Sequence, residues 1–523
     1  MSCICCILDL ILGILAVQIS KDITRRNKTR LSSFNRKTDV KSVWKAVRQV
    51  TAAKHSVTAV DGISAESLNN HYANISTDQD FSRPKYKSTC SVENQDFVSE
   101  WTVFRMLDQL RPTSTGLDRL PAWFLKLGAP VFCKPIAYLF NLSITECFVP
   151  QQWKTAWISP VPKVSAPKSH TDYRPISITS ILSRIMERLV VHQFLYPVFL
   201  THPSVFSDQF AFRPCGSTTA ALTSILHTVT QLLADNDYVI ILALDFSKAF
   251  DTVRHHTLFE KFAGLPIPDN IYNWLVEFFQ GHSHCTKYGH QISACKEITA
   301  SIVQGSAIGP ASYVVTACDL TTTTAGNHLC KYADDTYLII PASNFHSRLA
   351  ELDHIETWAG HNNLHLNRAK CVELIVSEPK RRRQFNPPPC ILDIKRVTTL
   401  TILGVTITSK LSVSEHVRTV INSCAQTMHA IRILRSHGMD DAQLQLVYRA
   451  VVIAKLTYAS SSWWGFTTAS DRQRLEGFLR RGCRQNLYPP HKPSETIISD
   501  NVITSTRAAQ ALLLGVGLGL PEV

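Results

Sequence analysis

Lys331-Tyr332-Ala333-Asp334-Asp335-Thr336-Tyr337 is a short stretch that places two adjacent carboxylates between two apolar runs. The flanking residues 329–330 and 338–340 are strand-like, so the pattern predicts a β-hairpin with the carboxylates at its tip. Neighbouring like charges resist joint ionisation, and a bound cation is the simplest way to neutralise them. An isolated Asp-Asp pair is more often a solvated turn, because Asp is common in turns. A metal site therefore requires a further carboxylate nearby.

A third carboxylate follows a continuous apolar run. Residues 238–244 are apolar throughout, which predicts a strand buried on both faces that ends at Asp245. Three carboxylates at one edge of a sheet form an all-oxygen cluster that suits Mg²⁺. Two such ions lower the pKa of an attacking hydroxyl and stabilise the leaving oxygen of an in-line phosphoryl displacement. The residues alone thus favour phosphoryl-transfer chemistry of the polymerase type.

Three motifs carry a resemblance to a known family. Residues 244–251 (Leu-Asp-Phe-Ser-Lys-Ala-Phe-Asp), 304–310 (Gln-Gly-Ser-Ala-Ile-Gly-Pro) and 332–335 (Tyr-Ala-Asp-Asp) resemble the first catalytic motif, the nucleotide-platform motif and the Y-A-D-D box of reverse transcriptases from non-LTR (LINE, jockey-like) retrotransposons. The resemblance covers roughly residues 101–487. It implies an α+β fold, a right-hand polymerase with fingers, an antiparallel-sheet palm and a helical thumb. The implied activity is RNA-directed DNA polymerase, with an RNA template, a DNA primer and dNTPs as partners.

The resemblance assigns the reacting groups to particular side chains. Asp245 and Asp334 would ligate both Mg²⁺ ions, for which Mn²⁺ could substitute, and Asp335 would support the second ion or the primer end. Phe246 belongs to the same ligand set. Lys370, in a further family-like motif, is placed near the leaving pyrophosphate, where its ammonium could act as a general acid. No small-molecule cofactor is expected.

The resemblance also places several residues against the incoming nucleotide. Lys163 and Arg174 match a segment that contacts the triphosphate, where Lys supplies a mobile point charge and Arg a planar fork. Without the resemblance, both are ordinary solvated charges. Phe250 falls where a bulky side chain meets the sugar 2′ position and excludes a hydroxyl, although a core aromatic fits the position equally. Gly305 lets the backbone approach the nucleotide, and the amide of Gln304 can hydrogen-bond near it.

The composition favours a polyanionic partner. The 523 residues include 54 Lys and Arg against 41 Asp and Glu, a formal net charge of +13. Such a balance suits phosphate binding with release of counterions. The resemblance places Arg213 and three residues of a C-terminal helix, Arg472, Arg480 and Arg481, against the nucleic acid. A basic soluble protein with a solvated basic helix is the alternative.

The pattern divides the chain into four parts. Residues 1–20 are an apolar segment, 21–100 a basic linker with a pre-polymerase remnant, 101–408 the fingers and palm with a core over 144–408, and 409–523 the helical thumb and C-terminal region. About a hundred residues precede the polymerase, too few for the endonuclease domain of full elements, so no nuclease activity is predicted. The apolar segment is marginal in length for a bilayer span. An accidental start is favoured over a signal anchor, membrane contact is doubtful, and an intracellular protein, nuclear or cytoplasmic, is expected.

Local patterns predict several element boundaries. Ser217 should cap a helix, another should run from Asp269 to Phe279, and the last of three C-terminal helices should be capped by Ser470. Ala211 stands where the family usually has Gly, so a positive φ required there would be strained.

Two other functions stay open. An RNA-dependent RNA polymerase shares the carboxylate geometry. Phe250 and Ala333 argue against it, because such enzymes typically admit a 2′-hydroxyl and carry Gly before the paired Asp. A non-catalytic nucleic-acid-binding relic would keep the basic surface, so only an activity measurement separates it from an enzyme.

Overall fold

The computed structural model describes residues 62–88, 97–214, 216–378 and 386–488, together with Gln18 and residues 21–22 and 24–29. Most of the apolar N-terminal segment and most of the predicted basic linker lie outside the described residues. Among the residues that are described, none forms a helix both long enough and apolar enough to cross a membrane.

Within the described residues, strands form two five-stranded sheets and two smaller two-stranded ones. In chain order, the strands of the described residues are β1 (Thr155–Pro162), β2 (Tyr173–Ile178), β3 (Val239–Leu244), β4 (Phe246–Ser247), β5 (Ser283–Tyr288), β6 (Gln291–Ile292), β7 (Lys296–Glu297), β8 (His328–Tyr332), β9 (Asp335–Pro341), β10 (His365–Leu366), β11 (Val372–Val376), β12 (Lys395–Val397), β13 (Thr399–Ile402) and β14 (Val405–Thr408).

The central sheet has the strand order β12–β11–β3–β9–β8, and β3 pairs antiparallel with both β9 and β11. The apolar run predicted to be buried on both faces is confirmed. Ile240 and Leu242 enter one hydrophobic core, whereas Val239 and Ile241 enter the other, and all four are fully buried. Because alternate residues of a strand face opposite sides, a strand between two cores needs an apolar residue at every position.

The second large sheet has the order β2–β1–β5–β6, with β7 beside β5. Strands β1 and β2 pair antiparallel, so that Val161 lies opposite Arg174. The Ser177 amide at the end of β2 donates to the carbonyl of Gln304 at 2.8 Å. This bond joins the second sheet to the platform motif, residues 304–310.

Helices surround both sheets. Between residues 62 and 488 the described α-helices are α1 (Ala65–Ile75), α2 (Glu100–Asp108), α3 (Ala122–Leu127), α4 (Ala129–Thr145), α5 (Gln151–Lys154), α6 (Ile181–Val190), α7 (Tyr196–Thr201), α8 (Thr218–Asp235), α9 (Ala249–Thr252), α10 (His255–Ala263), α11 (Asp269–Phe279), α12 (Ile308–Thr316), α13 (Arg348–His361), α14 (Ser414–Ser436), α15 (Asp441–Val447), α16 (Ala454–Thr457), α17 (Ser460–Trp463) and α18 (Ala469–Arg484).

The C-terminal helices pack on the central sheet. One hydrophobic core contains side chains from α8, α14, α15 and α18 together with those of the β13–β14 hairpin and one face of β3. Helix α14 buries Val417, Cys424, Met428 and Ile431. This region therefore shares its core with the sheet and is not held by surface contacts alone.

Some predicted boundaries are confirmed and two expectations are wrong. Ser217 caps α8 by accepting from the Ala220 amide at 3.1 Å, and α11 has the predicted bounds. The cap of α18 is not Ser470 but Thr468, because Thr468 and Asp471 each accept the other's backbone amide at 3.1 Å and so satisfy two free donors. In the loop before α8, φ is positive at Asp208 (55°) and Phe212 (56°), and not at Ala211.

Candidate active site

The Asp334–Asp335 pair lies at the tip of the β8–β9 hairpin, as the sequence predicts. Tyr332 pairs with Asp335, which leaves a two-residue turn of Ala333 and Asp334. Ala333 has a φ of 56°, a conformation that favours glycine. Its amide donates to Oε1 of the buried Gln209 at 3.1 Å, which holds the turn in this conformation.

Asp245 reaches the same end of the sheet from the neighbouring strand. Leu244 pairs with Thr336, so Asp245 follows one member of this pair and Asp335 precedes the other. The Asp245 carbonyl accepts from the Asn367 amide at 2.8 Å, and strand β10 pairs with β4 directly after Asp245. These contacts bring Lys370 Nζ to 3.7 Å from Asp245 Oδ2. The structure thus brings together the three predicted aspartates and the predicted lysine.

The electrostatics of the aspartates reflect their crowding. Burial raises the pKa of Asp334, and the charge of Asp245 raises it further. Burial likewise raises the pKa of Asp335, with contributions from Asp334 and Asp245. Carboxylate oxygens are the donors that Mg²⁺ prefers, and mutual repulsion is relieved by a divalent cation. In the part of the chain that the structure describes, no group of three or more His, Cys, Asp or Glu side chains is arranged so that it could hold a metal ion.

Two basic residues predicted for the nucleotide lie on the strands of the second sheet. Lys163 is exposed just after β1, and its Nζ donates to the Thr171 carbonyl at 2.9 Å. Arg174 is exposed on β2, and its charge opposes the rise in the pKa of Asp334. Arg174 therefore lies close enough to Asp334 for the two charges to interact.

The platform motif crosses β2 at very short range. Gly305 has a φ of 113°, and a Cβ at this position would lie 2.3 Å from the carbonyl oxygen of Ser177. Only glycine fits such an approach. The side-chain amide of Gln304 donates to Asp251 Oδ1 at 2.9 Å. The structure thus explains both the glycine and the fixed orientation of Gln304.

Phe250 packs against the hydrophobic core. Its ring stacks on Tyr313 with centroids 4.7 Å apart and an interplanar angle of 11°. Tyr313 itself is close enough to Asp334 and Asp335 for their charges to raise its pKa, after the larger effect of burial. Phe250 is only partly buried, so its exposed edge is available to a ligand. Packing and ligand contact are both compatible with this position.

The predicted nucleic-acid-binding arginines differ in their surroundings. Arg472 is partly buried, where Nε donates to Thr467 Oγ1 at 3.0 Å. Arg480 pairs with Glu476 at 3.1 Å. Arg481 is exposed and lies over the Phe478 ring at 5.2 Å. Arg213 is exposed, with its guanidinium 5.7 Å from the centre of the Phe206 ring.

Sequence reasoning missed the buried polar residues that support the site. Besides Gln209, they are Lys331, whose Nζ donates to the carbonyls of Ala317 and Leu320 at 2.9 Å, and Glu187, which binds the platform motif. A signal for Glu187 existed. It lies four residues after Ser183 on the apolar face of a helix, where an acid is costly without partners.

The fold and the three aspartates define a polymerase of the right-hand class. Residues 161–407 match the family described as reverse transcriptase (RNA-dependent DNA polymerase). These residues therefore resemble a reverse transcriptase domain, and the chain is similar to polymerases of mobile elements. The recognition made from the motifs and the predicted α+β fold class are confirmed.

Curated relatives are polymerases of mobile elements. The RNA-directed DNA polymerase from mobile element jockey of Drosophila melanogaster is 29% identical over 301 residues, which are 54% of this chain and 32% of that protein. The probable RNA-directed DNA polymerase from transposon BS of the same species is 26% identical over 391 residues, 71% of this chain and 42% of that protein. The chain thus spans less than half the length of these relatives. A solved structure of telomerase from Candida tropicalis, in complex with a fragment of telomeric RNA, aligns at 12% identity and a TM-score of 0.38, over 73% of this chain and 66% of that one.

Proposed function

We propose that this chain is an RNA-directed DNA polymerase that adds deoxynucleotides to a primer 3′-hydroxyl. The observation that carries the proposal is the convergence of Asp245 with Asp334 and Asp335 at one end of the central sheet. Structural acids in a protein are usually matched by basic partners, whereas here the charge of Asp245 adds to the effect of burial in raising the pKa values of Asp334 and Asp335. Such an arrangement fits residues that bind a cation.

The proposed ligands of two Mg²⁺ ions are Asp245, Asp334 and Asp335. Phe246, which directly follows Asp245, is proposed as a member of the same ligand set. Bound ions would activate the 3′-hydroxyl and stabilise the leaving oxygen. Mn²⁺ has the same preference for oxygen ligands. Lys370 pairs with Asp245 at 3.7 Å and is exposed, so it can turn to the pyrophosphate and donate a proton there.

The proposed nucleotide site lies between the two sheets. Lys163 and Arg174 would bind the triphosphate, because both are exposed cations and the charge of Arg174 acts on Asp334. The backbone at Gly305 and the amide of Gln304 would bound the sugar and base, and Phe250 would exclude a 2′-hydroxyl. The proposed substrates are dNTPs, a DNA primer and an RNA template.

The proposed template and primer path runs along the C-terminal helices. Arg213, Arg472, Arg480 and Arg481 are the proposed phosphate contacts, and the net charge of +13 supports them. We assign the fingers and palm to residues 101–408 and the thumb to residues 409–523. The use of these substrates also places the proposed activity inside the cell, in the nucleus or cytoplasm.

Primer extension on an RNA template with the purified chain tests the proposal. Deoxynucleotides should be incorporated in preference to ribonucleotides, and Phe250→Val should shift the preference toward ribonucleotides by about ten- to hundredfold with synthesis still measurable. Tyr196→Phe, at an aromatic residue away from the aspartates, is the control and should leave the ratio unchanged. A wild type that prefers ribonucleotides contradicts the reverse transcriptase proposal. A wild type that binds RNA without synthesis favours the non-catalytic relic.

A further inference from the structure

A fully buried carboxylate lies between helix α6 and the platform motif. Glu187 has no exposed surface. Its Oε2 accepts from Ser306 Oγ at 2.5 Å and from the Ala307 amide at 2.7 Å, and its Oε1 accepts from Ser183 Oγ at 2.8 Å. One oxygen therefore binds the platform motif, and the other binds the helix that carries Glu187.

These hydrogen bonds account for an acid in the core. Burial raises the pKa of Glu187, and the bonds from Ser306, Ser183 and the Ala307 amide act in the opposite direction. A buried carboxyl without partners is strongly unfavourable, so the side chain is retained only where donors surround it. The donors in turn have Glu187 as their acceptor, which ties the position of the loop to that of the helix.

The same loop is held on its other side by strand β2. The Ser177 amide donates to the Gln304 carbonyl at 2.8 Å, and the Ser177 carbonyl leaves no room for a side chain at Gly305. Gln304 and Gly305 therefore lie between two anchors, one on β2 and one on α6. Loss of either anchor frees the pair while leaving the aspartates on the central sheet in place.

We propose that Glu187 is a positioning residue for the incoming nucleotide. It does not contact the substrate. It fixes Ser306 and Ala307 and thereby determines where Gln304 and Gly305 lie relative to the nucleotide. This role rests on the proposed polymerase function. It deepens that function, because a buried side chain that does not contact the substrate is proposed to determine nucleotide affinity and not metal binding.

Glu187→Met tests the role without a buried charge left behind. Methionine has a similar volume, and replacing a buried ionisable group with an apolar one often preserves stability. With the acceptor gone, the KM for dNTP should rise about ten- to hundredfold, because small misplacements of positioning groups have effects of this size. The kcat and the Kd for primer–template should change less than about threefold, because neither depends directly on the platform motif.

Glu187→Gln is the conservative variant that should restore the wild-type values. Its carbonyl oxygen can accept from Ser306 and Ala307 while its amide donates to the Ser183 hydroxyl. Ser183→Ala is the matched control, because it removes the hydroxyl that donates to Glu187 Oε1, the oxygen that does not bind the loop. It should lower Tm slightly and leave the KM for dNTP unchanged. Ser306→Ala should raise KM less than Glu187→Met does, and the double variant should show less than the sum of the two effects.

Amide hydrogen exchange separates this proposal from the proposed function. Exchange of the peptide that contains Ala307 should accelerate in Glu187→Met but not in Glu187→Gln or Ser183→Ala, whether or not the chain synthesises DNA. Unchanged exchange in Glu187→Met overturns the anchor. Faster exchange with an unchanged KM in an active enzyme overturns the positioning role. If exchange accelerates only in Glu187→Met but wild type does not extend a primer, the anchor is supported. The assignment to nucleotide affinity is then overturned together with the polymerase proposal.

Discussion

Two acidic sites on the central sheet use carboxylates in opposite ways. Glu373 on β11 is 1% exposed and lies between two arginines, with Oε1 2.7 Å from Arg348 Nη1 and Oε2 2.6 Å from Arg396 Nε. At the tip of the β8–β9 hairpin, burial raises the pKa values of Asp334 and Asp335, the charge of Asp245 raises both further, and the charge of Asp334 adds to the rise for Asp335. The two sites lie on the same sheet, but they differ in the source of the positive charge that neutralises the carboxylates.

The difference shows how a structural acid can be told from a functional one. The charge of Glu373 is neutralised by the protein itself, so its removal should affect folding. For the aspartates we propose a bound cation, since the nearby Lys370 is exposed and its Nζ lies 3.7 Å from Asp245 Oδ2. Substitutions there should affect activity and not folding. The predictions below test this contrast.

The largest effect is expected for Asp334→Asn. Loss of one ligand charge should lower primer extension by more than about a thousandfold, because the ions depend on three carboxylates. Template affinity should be nearly unchanged, since it depends on many phosphate contacts. Tm should be unchanged or slightly raised, because a repulsive charge is removed. Asp235→Asn, at an exposed acid at the end of α8, is the control for extension. Undiminished synthesis by Asp334→Asn would rule out the metal site.

Glu373→Gln should produce the opposite result. Removal of this charge leaves Arg348 and Arg396 without their shared partner, which should lower the free energy of unfolding by about 3 kcal/mol. Extension per folded molecule should stay close to wild type. Glu356→Gln is the matched control, because Glu356 pairs with Arg368 in a half-exposed position and should be worth less than about 1 kcal/mol. Denaturant unfolding measures both variants. Equal losses in the free energy of unfolding for the two variants would show that burial of the Arg348–Glu373–Arg396 group adds no stability.

Asp251 is a buried acid whose effect on stability should depend on pH. Burial raises the pKa of Asp251 to about 6, against the opposing charges of Lys248, Lys163 and Arg174. A raised pKa contributes stability that is complete below the unfolded value and is lost as pH rises through about 6.

Asp251→Asn cannot titrate and keeps an acceptor for Gln304. Between pH 4 and 7 the free energy of unfolding of wild type should therefore fall by roughly 2 kcal/mol relative to the variant. Unfolding in urea at several pH values measures the difference. Parallel curves for the two proteins would contradict the shift.

The smallest effect concerns the basic side chains. In the described part of the chain, Arg481 contacts a ring and has no carboxylate partner, whereas Arg418 pairs with Glu415. Arg481→Ala should reduce the slope of log affinity for primer–template against log salt by about 1, and Arg418→Ala should change it less. Filter binding at several salt concentrations measures both slopes. Equal slopes for wild type and Arg481→Ala would make α18 a solvated basic helix.

The sequence by itself determined where the strands and turns that carry the candidate site lie. The apolar run before Asp245, the Asp334–Asp335 hairpin and the glycine of the platform motif could be predicted because each depends on local rules of period, turn preference and steric size. The helix from Asp269 to Phe279 and the Ser217 cap were predicted for the same reason. Thr468 was missed as a cap because its advantage over Ser470 comes from a reciprocal bond with Asp471.

Only the tertiary structure decided which polar residues hold the site. Glu187, Gln209 and Asp251 act through partners that are 119, 124 and 53 residues away in the chain. No local pattern specifies such partners, because a buried hydrogen bond depends on which surfaces the packed core brings together. The sequence thus determined which carboxylates are available for a metal. The fold decided which acids are neutralised by the protein, since that depends on distances between segments and not on order along the chain.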